Sequence, residues 1–250
     1  MILLRSLAFN VAFYANIIVW MIVILPTLLM PRRVLMRVVR AWAASNLFLL
    51  RVIVGIRVEL RHRERIPTGP AIIAAKHQSF LETFALFACL ADPVIILKRE
   101  LTWIPLFGWY ILKARLIPIN RGARSKALEA ATERTREELI TGRQLLIFPE
   151  GTRRAPGAPP SYKFGVAYIY DRVKVPVTPV GLNTGLFWPR RQFIRRPGTV
   201  VIEFLEPVPQ GLDRETALRE ISARIEESSD RLLADGLREL GPLAPDVARD

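Results

Sequence analysis

The sequence predicts an α/β fold: a largely parallel or mixed central sheet flanked by helices, with an N-terminal membrane-associated two-helix segment. Three observations predict it. From residue 58 onward, short apolar runs of strand length alternate with longer helical patterns, the order that builds parallel sheets. Apolar residues make up 51% of the 250, enough to bury one sizeable core and too many for a disordered chain. Residues 7–30 carry no charge, a length that can cross a bilayer core of roughly 30 Å.

That first segment reads LAFNVAFYANIIVWMIVILPTLLM. Asn10, Asn16 and Pro26 weaken it as a simple span. No small-x-small cleavage site follows a short apolar core, which argues against a removed signal peptide. Beyond Pro31, Val34, Leu35, Val38 and Trp42 fall at helical spacing, while Arg33, Arg37 and Arg40 gather on another side. This is a basic amphipathic helix, suited to an interface beside anionic headgroups. Leu47–Leu50 and Val52–Ile56 are apolar again. Residues 1–57 therefore read as two membrane-associated helices joined near Pro31, and residues 58–250 as the α/β domain. The arginines after the first helix predict a cytoplasmic face for the remainder. The competing reading of 1–57 is a helical hairpin buried against the domain.

The elements then follow in order. AIIAA (71–75), after the turn signal PTGP, is a buried strand. FLETFALFACLA is a helix ending before Asp92-Pro93, and VIIL (94–97) is a strand. WIPLFGWYILK is a broken helix and RLIPI (115–119) a strand. SKALEAATERTREELITG is a helix that Gly142 stops, and QLLIF (144–148) a strand running into a loop. YKFGVAYIYDRV is helical, PVTPVGL (176–182) and TVVIEFL (199–205) are strands, and DRETALREISARIEESSDRLLADGL is an amphipathic surface helix. The tail beyond it reads as loose.

Composition narrows the chemistry. The net charge of +13 is uneven: residues 1–65 hold ten arginines against two acids, residues 211–250 six against ten. A basic N-terminal end suits nucleic acid or an anionic membrane surface, and its apolar neighbours favour the membrane. Few aromatics interleave with the mid-chain arginines, so no nucleic-acid stacking surface is expected. The single cysteine, Cys89, sits in an apolar run as a small buried hydrophobe and fits a reducing compartment. There is no G-x-S-x-G, no phosphate-binding loop of the G-x4-G-K type and no dinucleotide fingerprint. One cysteine and two histidines make a zinc site hard to build, so no metal is expected.

What remains is one histidine. His77 follows the 71–75 strand directly, at the strand end where α/β sheets bind ligands. Imidazole is the side chain best suited to a general base near neutral pH, and Glu82 is the candidate partner that orients it. Five residues on one helix would place the two about 140° apart, so they meet only if His77 precedes the helix. Ser79 and Glu82 also spell a capping box, the plain structural reading of the same segment. Two further segments carry cations at strand ends: KRELTWIPLFGWYILKARLIPINR (98–121), with Lys98 and Arg121, and IFPEGTRR (147–154), with Arg153 in a tight turn. Arginine forks suit bidentate capture of phosphate.

These blocks resemble the lysophosphatidate (1-acyl-glycerol-3-phosphate) acyltransferases, in their bacterial form, over roughly residues 70–185. KHQSFLE is similar to the family's His-x4-acid block, with His77 and Glu82 matching. In the second block Lys98, Leu101, Pro105, Gly108 and Arg121 match; FPEGTR (148–153) matches the third unchanged; VPVTPVGLN (175–183) is similar to the fourth. The departures are Lys76, where Asn is usual, and Glu82, where Asp is usual.

The resemblance implies that His77, oriented by Glu82, deprotonates the 2-hydroxyl of a lysophosphatidate for attack on the thioester of acyl-CoA or acyl carrier protein. It implies an acceptor phosphate held by Lys98, Arg121, Arg153 and the Gly151-Thr152 main chain, with Glu150 orienting an arginine or a hydroxyl. Backbone N–H groups after Gln78 are the candidate oxyanion donors. It further implies phosphatidate synthesis at the cytoplasmic side of the inner membrane, with no cofactor beyond the acyl donor. The alternatives are another lysophospholipid acceptor or a membrane-bound thioesterase.

Overall fold

The computed structural model describes residues 1–120 and 124–244. Its strands are β1 (Ile56–Arg61), β2 (Ala71–Ala75), β3 (Pro93–Lys98), β4 (Ile117–Ile119), β5 (Gln144–Ile147), β6 (Val177–Leu182) and β7 (Gly198–Phe204). Its helices are α1 (Ile2–Ile24), α2 (Arg32–Leu49), α3 (Leu81–Cys89), α4 (Phe107–Lys113), α5 (Arg124–Ile140), α6 (Gly165–Val173), α7 (Thr184–Phe187) and α8 (Arg214–Leu240). The strands form one mixed sheet in the order β1-β7-β6-β2-β5-β3-β4. From β4 to β6 all neighbours run parallel; β7 pairs antiparallel with β6, and β1 follows β7.

β2 lies between β5 and β6, and all five of its residues are buried. Successive side chains alternate faces: Ile73 and Ala75 join the core beneath α2 and α3, while Ile72 and Ala74 join the core beneath α5, α6 and α8. A strand apolar on both faces has its backbone satisfied only inside a sheet, which places it centrally. Pro179 sits in β6 one residue before the antiparallel ladder begins at Val180–Phe204, so its missing N–H removes no rung there.

The N-terminal helices differ from a free membrane hairpin. α1 runs into a 3-10 turn (Leu25–Leu29), and α2 starts after Pro31. One side of α1 docks on the domain. Phe9 and Phe13 are buried with their rings edge-on to Trp188, at 5.2 and 5.4 Å between centroids. The Ser6 hydroxyl accepts the Arg195 main-chain N–H at 2.9 Å, and Asn10 Oδ1 accepts from the Arg195 guanidinium at 3.2 Å. The Asn16 amide donates to Ser45 and Asn46 of α2 at 2.9 and 3.3 Å. The asparagines that weaken a span in sequence are therefore the polar contacts that fasten this helix. Its other side, with Leu4, Val11, Ile18 and Ile22, stays exposed.

α2 is turned differently from the interfacial helix its pattern suggests. Leu35, Met36 and Ala43 are buried, and the helix packs along α3. Arg32 at its start is fixed to Asp92 by two bonds of 2.8 and 2.6 Å. A π turn (Leu50–Val54) ends at Gly55, whose φ of +86° favours glycine, and Ile56 enters β1. The sheet thus begins two residues before residue 58, inside the apolar run that read as helical segment.

Asp213 caps α8 by accepting the N–H groups of Glu215 and Thr216 at 3.0 and 2.9 Å. Ile221, Ile225 and Leu232 are buried, and α8 crosses β6 at Gly181, where a Cβ would stand 2.6 Å from Ser228 Cβ. Gly181→Ala is expected to destabilise the fold by about 1–3 kcal/mol through overpacking. Chemical denaturation checks it; an unchanged midpoint would show that α8 can move away.

Candidate active site

The site begins where β2 ends. The chain leaves the strand at Ala75 and turns through Lys76, His77, Gln78 and Ser79 before α3 starts at Leu81. His77 therefore precedes the helix and can meet Glu82. Its Nδ1 lies 2.8 Å from Glu82 Oε1. The imidazole is stacked on Phe148, 4.0 Å between ring centres and 16° between planes, so its plane is fixed as well as its partner.

Glu82 is fully buried, and three groups besides the imidazole satisfy it with four bonds. The main-chain N–H groups of Gln78 and Ser79 donate to Oε1 at 2.9 and 2.8 Å; Ser79 also reaches Oε2 at 3.0 Å. The Thr184 hydroxyl, at the start of α7, donates to Oε2 at 2.8 Å. Half of the capping box is thus present: Glu82 reaches back to Ser79. The Ser79 hydroxyl accepts the Leu81 N–H at 3.2 Å. Of the main-chain N–H groups after Gln78 that the sequence offers as oxyanion donors, those of Ser79 and Leu81 are occupied by these acceptors. Gln78 instead accepts the Gly185 N–H through its side chain at 3.1 Å, tying this turn to α7.

The loop after β5 forms the facing wall. Pro149, Glu150, Gly151, Thr152 and Arg153 line the same cavity as His77 and Lys98. Gly151 has a φ of +67°, which turns the chain sharply there. Arg153 lies over the Phe80 ring at 5.3 Å, and Arg190 donates to the Arg153 carbonyl at 2.8 Å. Burial holds the Arg153 guanidinium below its ordinary range; the Glu82 charge opposes that shift and Arg190 adds to it. Glu150 points inward: one oxygen accepts the His77 main-chain N–H at 3.2 Å, and the other lies 3.2 Å from Lys76 Nζ. It orients a lysine and the histidine's backbone, and its nearest arginine nitrogen is Arg154 Nε at 3.8 Å. Arg121 lies outside the described residues.

The cavity has a volume of about 1070 Å³. Its mouth carries His77, Lys98, Arg153, Lys163, Arg190 and Arg191; its walls are apolar, with Met36 and Trp42 from α2, Phe84 and Phe87 from α3, and Tyr110 from α4. Sequence reading passes over Thr184, Arg190, Arg191 and Lys163. The pair Arg190-Arg191 after Pro189 was a usable signal; Thr184 gave none.

Comparison with known proteins decides the family. A family model described as Acyltransferase matches residues 57–183. A 1-acyl-sn-glycerol-3-phosphate acyltransferase of Pseudomonas aeruginosa is 32% identical over 211 residues, 84% of this chain and 80% of that protein. The chain belongs to the 1-acyl-sn-glycerol-3-phosphate acyltransferase family. A mouse relative, 1-acyl-sn-glycerol-3-phosphate acyltransferase alpha, is 28% identical over 68% of this chain and 64% of its own length. The crystal structure of the 1-acyl-sn-glycerophosphate acyltransferase PlsC from Thermotoga maritima superposes with a TM-score of 0.78 at 26% identity, covering 94% of this chain and 98% of that one. This acyltransferase therefore shares its fold, N-terminal helices included, with that enzyme.

In this family member the Glu82 carboxylate holds the fold together locally. Glu82→Ala is expected to destabilise the protein by about 3 kcal/mol or more, because two buried amides and a hydroxyl lose their acceptor. A urea melt checks it; a midpoint equal to wild type would show that water replaces the carboxylate.

Proposed function

We propose that this acyltransferase moves a fatty acyl group from acyl-CoA or acyl carrier protein to the 2-hydroxyl of 1-acyl-glycerol-3-phosphate, giving phosphatidate. One observation carries the reading: the His77–Glu82 couple stands where a cationic mouth meets an apolar cavity, which suits a phosphate beside an acyl chain.

The steps follow from the geometry. Glu82 engages Nδ1, so the proton resides there and Nε2 is the basic nitrogen. Nε2 takes the proton of the acceptor hydroxyl as its oxygen attacks the thioester carbonyl. The tetrahedral intermediate collapses, the carbon–sulfur bond breaks, and the imidazolium returns the proton to the leaving thiolate. Buried Glu82 stabilises the imidazolium between the two transfers. Lys98 and Arg153, with the Gly151-Thr152 main chain, bind the acceptor's phosphate, and Arg121 joins them in this reading; Arg190 supports Arg153. Glu150 serves by positioning. No cofactor beyond the acyl donor and no nucleic-acid partner belongs to this function.

The lipid acceptor places the enzyme at a membrane, and we assign it to the cytoplasmic side of the inner membrane. The stretch Ile2–Leu29 is long and apolar enough to cross. Its docked side is held from Ser6 to Asn16, however, which favours a helix lying within one leaflet with Leu4, Val11, Ile18 and Ile22 in lipid.

His77→Ala is expected to lose ~10²–10⁴-fold in turnover with the fold intact. Transfer of a labelled acyl group from acyl-CoA, then from acyl carrier protein, to lysophosphatidate checks it. Near-wild-type turnover of the folded variant would remove His77 as the base, and thioester consumption without lysolipid would reveal a thioesterase.

Ile18→Glu with Ile22→Glu is expected to weaken sedimentation with anionic vesicles while leaving the melting temperature within a degree or so, as surface changes usually do. Unchanged sedimentation would place the contact elsewhere.

A further inference from the structure

Lys76 is an unusual side chain to find at the end of a central strand. It is 3% exposed, and its backbone N–H donates to the Val180 carbonyl of β6. Its Nζ lies 3.2 Å from Glu150 Oε1 and 2.5 Å from Glu226 Oε1 on α8. The Tyr162 hydroxyl donates to the same Glu226 oxygen at 2.5 Å, and the Tyr162 ring lies 5.7 Å from Nζ. The second Glu150 oxygen accepts the His77 main-chain N–H at 3.2 Å, and the His77 carbonyl accepts the Arg154 N–H at 2.8 Å. The main chain of His77 is thus held on both sides, on one of them by a carboxylate that lysine anchors.

A buried ion cluster adds little stability over apolar packing of the same volume, so its place beside the histidine calls for another role. We propose that Lys76 and Glu226 are positioning residues: they hold Glu150 as the acceptor for the His77 main chain and so set the imidazole against Glu82 and the substrate hydroxyl. Glu226 stands outside the region matched by the family model, residues 57–183, so α8 becomes a working part of the site. The proposal rests on the reading of His77 as the base.

The charges around Glu150 make it testable. Facing it are Lys76 from the turn after β2, Glu226 from α8, Tyr162 and Arg154 from the loop between β5 and α6, and the His77 amide. Burial pushes the Glu150 carboxyl above its ordinary range; Lys76 and the His77 N–H pull it down, and the Glu226 charge pushes it up. Without Lys76 its main counter-charge is gone, and the protonated form no longer offers the same acceptor. A carboxyl with a raised folded-state value stabilises the fold least when ionised. Stability is therefore present at low pH and lost as pH rises through that value.

The experiment compares wild type, Lys76→Met, Lys76→Arg, Glu150→Gln and Lys76→Met/Glu150→Gln, by kcat against pH and by thermal melts across the same range. Lys76→Met is expected to lose about tenfold in kcat near neutrality, as for a weakened hydrogen bond to a charged group. The acid limb of its kcat profile moves to higher pH, and its melting temperature falls more steeply than wild type as pH rises. Both changes disappear in the double variant, and Lys76→Arg restores the wild-type limb. An acid limb unmoved in Lys76→Met, or moved equally when Glu150 is also replaced, overturns the proposal. Should Lys76→Met not fold, Glu226→Gln is read instead: it removes the like charge, so the pH dependence of its melt moves to lower pH, and no movement overturns the proposal. Absence of acyl transfer by wild type would sink the functional reading alone, and the melts would still decide the coupling.

Discussion

The Glu82 carboxylate is the interaction on which the mouth of the cavity depends. A fully buried anion is tolerated only when its oxygens are met by donors, and here five bonds reach it from His77, Gln78, Ser79 and Thr184. These donors belong to the end of β2, the first turn before α3 and the start of α7. The charge also stands at the N-terminal end of α3, where exposed amide dipoles favour it. Removing it would release three segments at once. The capping reading and the proposed catalytic reading of the same segment therefore rest on one carboxylate. It folds the turn, and the folded turn holds the imidazole in its plane against Phe148.

Sheet topology brings distant residues to that carboxylate. β2 lies between parallel neighbours β5 and β6, so three carboxyl ends open at one edge of the sheet. β2 delivers His77, β5 the turn from Phe148 to Arg153, and β6 leads to Thr184. β3, next to β5, delivers Lys98. The antiparallel turn at β7 reverses the sheet beyond β6. The chain between α7 and β7 then carries Trp188 and Arg195 back to meet α1.

Local patterns were legible where one segment decides its own state. The β2 run, the long α8 pattern and the stop of α5 near Gly142 follow from apolar period and turn residues. The His77–Glu82 spacing was legible too, because the turn before α3 is local and the two residues lie five apart. Contacts between segments were not. Thr184 sits 102 positions from Glu82 and Glu226 150 from Lys76, and nothing in either local pattern names its partner. The oxyanion expectation narrows for a related reason: the Ser79 amide looks free in sequence, and only the fold shows that Glu82 has already taken it. The strand beginning at Ile56 was hidden because Val52–Ile56 continues an apolar run, and the break at Gly55 depends on a left-handed backbone.

The N-terminal helices and the site are not separable parts. Met36, Val39 and Trp42 of α2 line the cavity, and Phe9 and Phe13 of α1 share one core with the strands. Deleting residues 1–57 would open that cavity and expose the core, so lost activity in such a truncation would say nothing about membranes. Within α1 the division runs along the helix rather than across it: one side is fastened to the domain, the other is apolar and open. Under the proposed function this geometry has a consequence. The wall that encloses an acyl chain and the surface that meets lipid belong to one packed hairpin. Any insertion depth chosen by α1 is then transmitted to the cavity by rigid packing through α2, with Arg32 holding the start of that helix to Asp92. Under that function a membrane engaged by α1 would set the height of the site above the leaflet that supplies the acceptor.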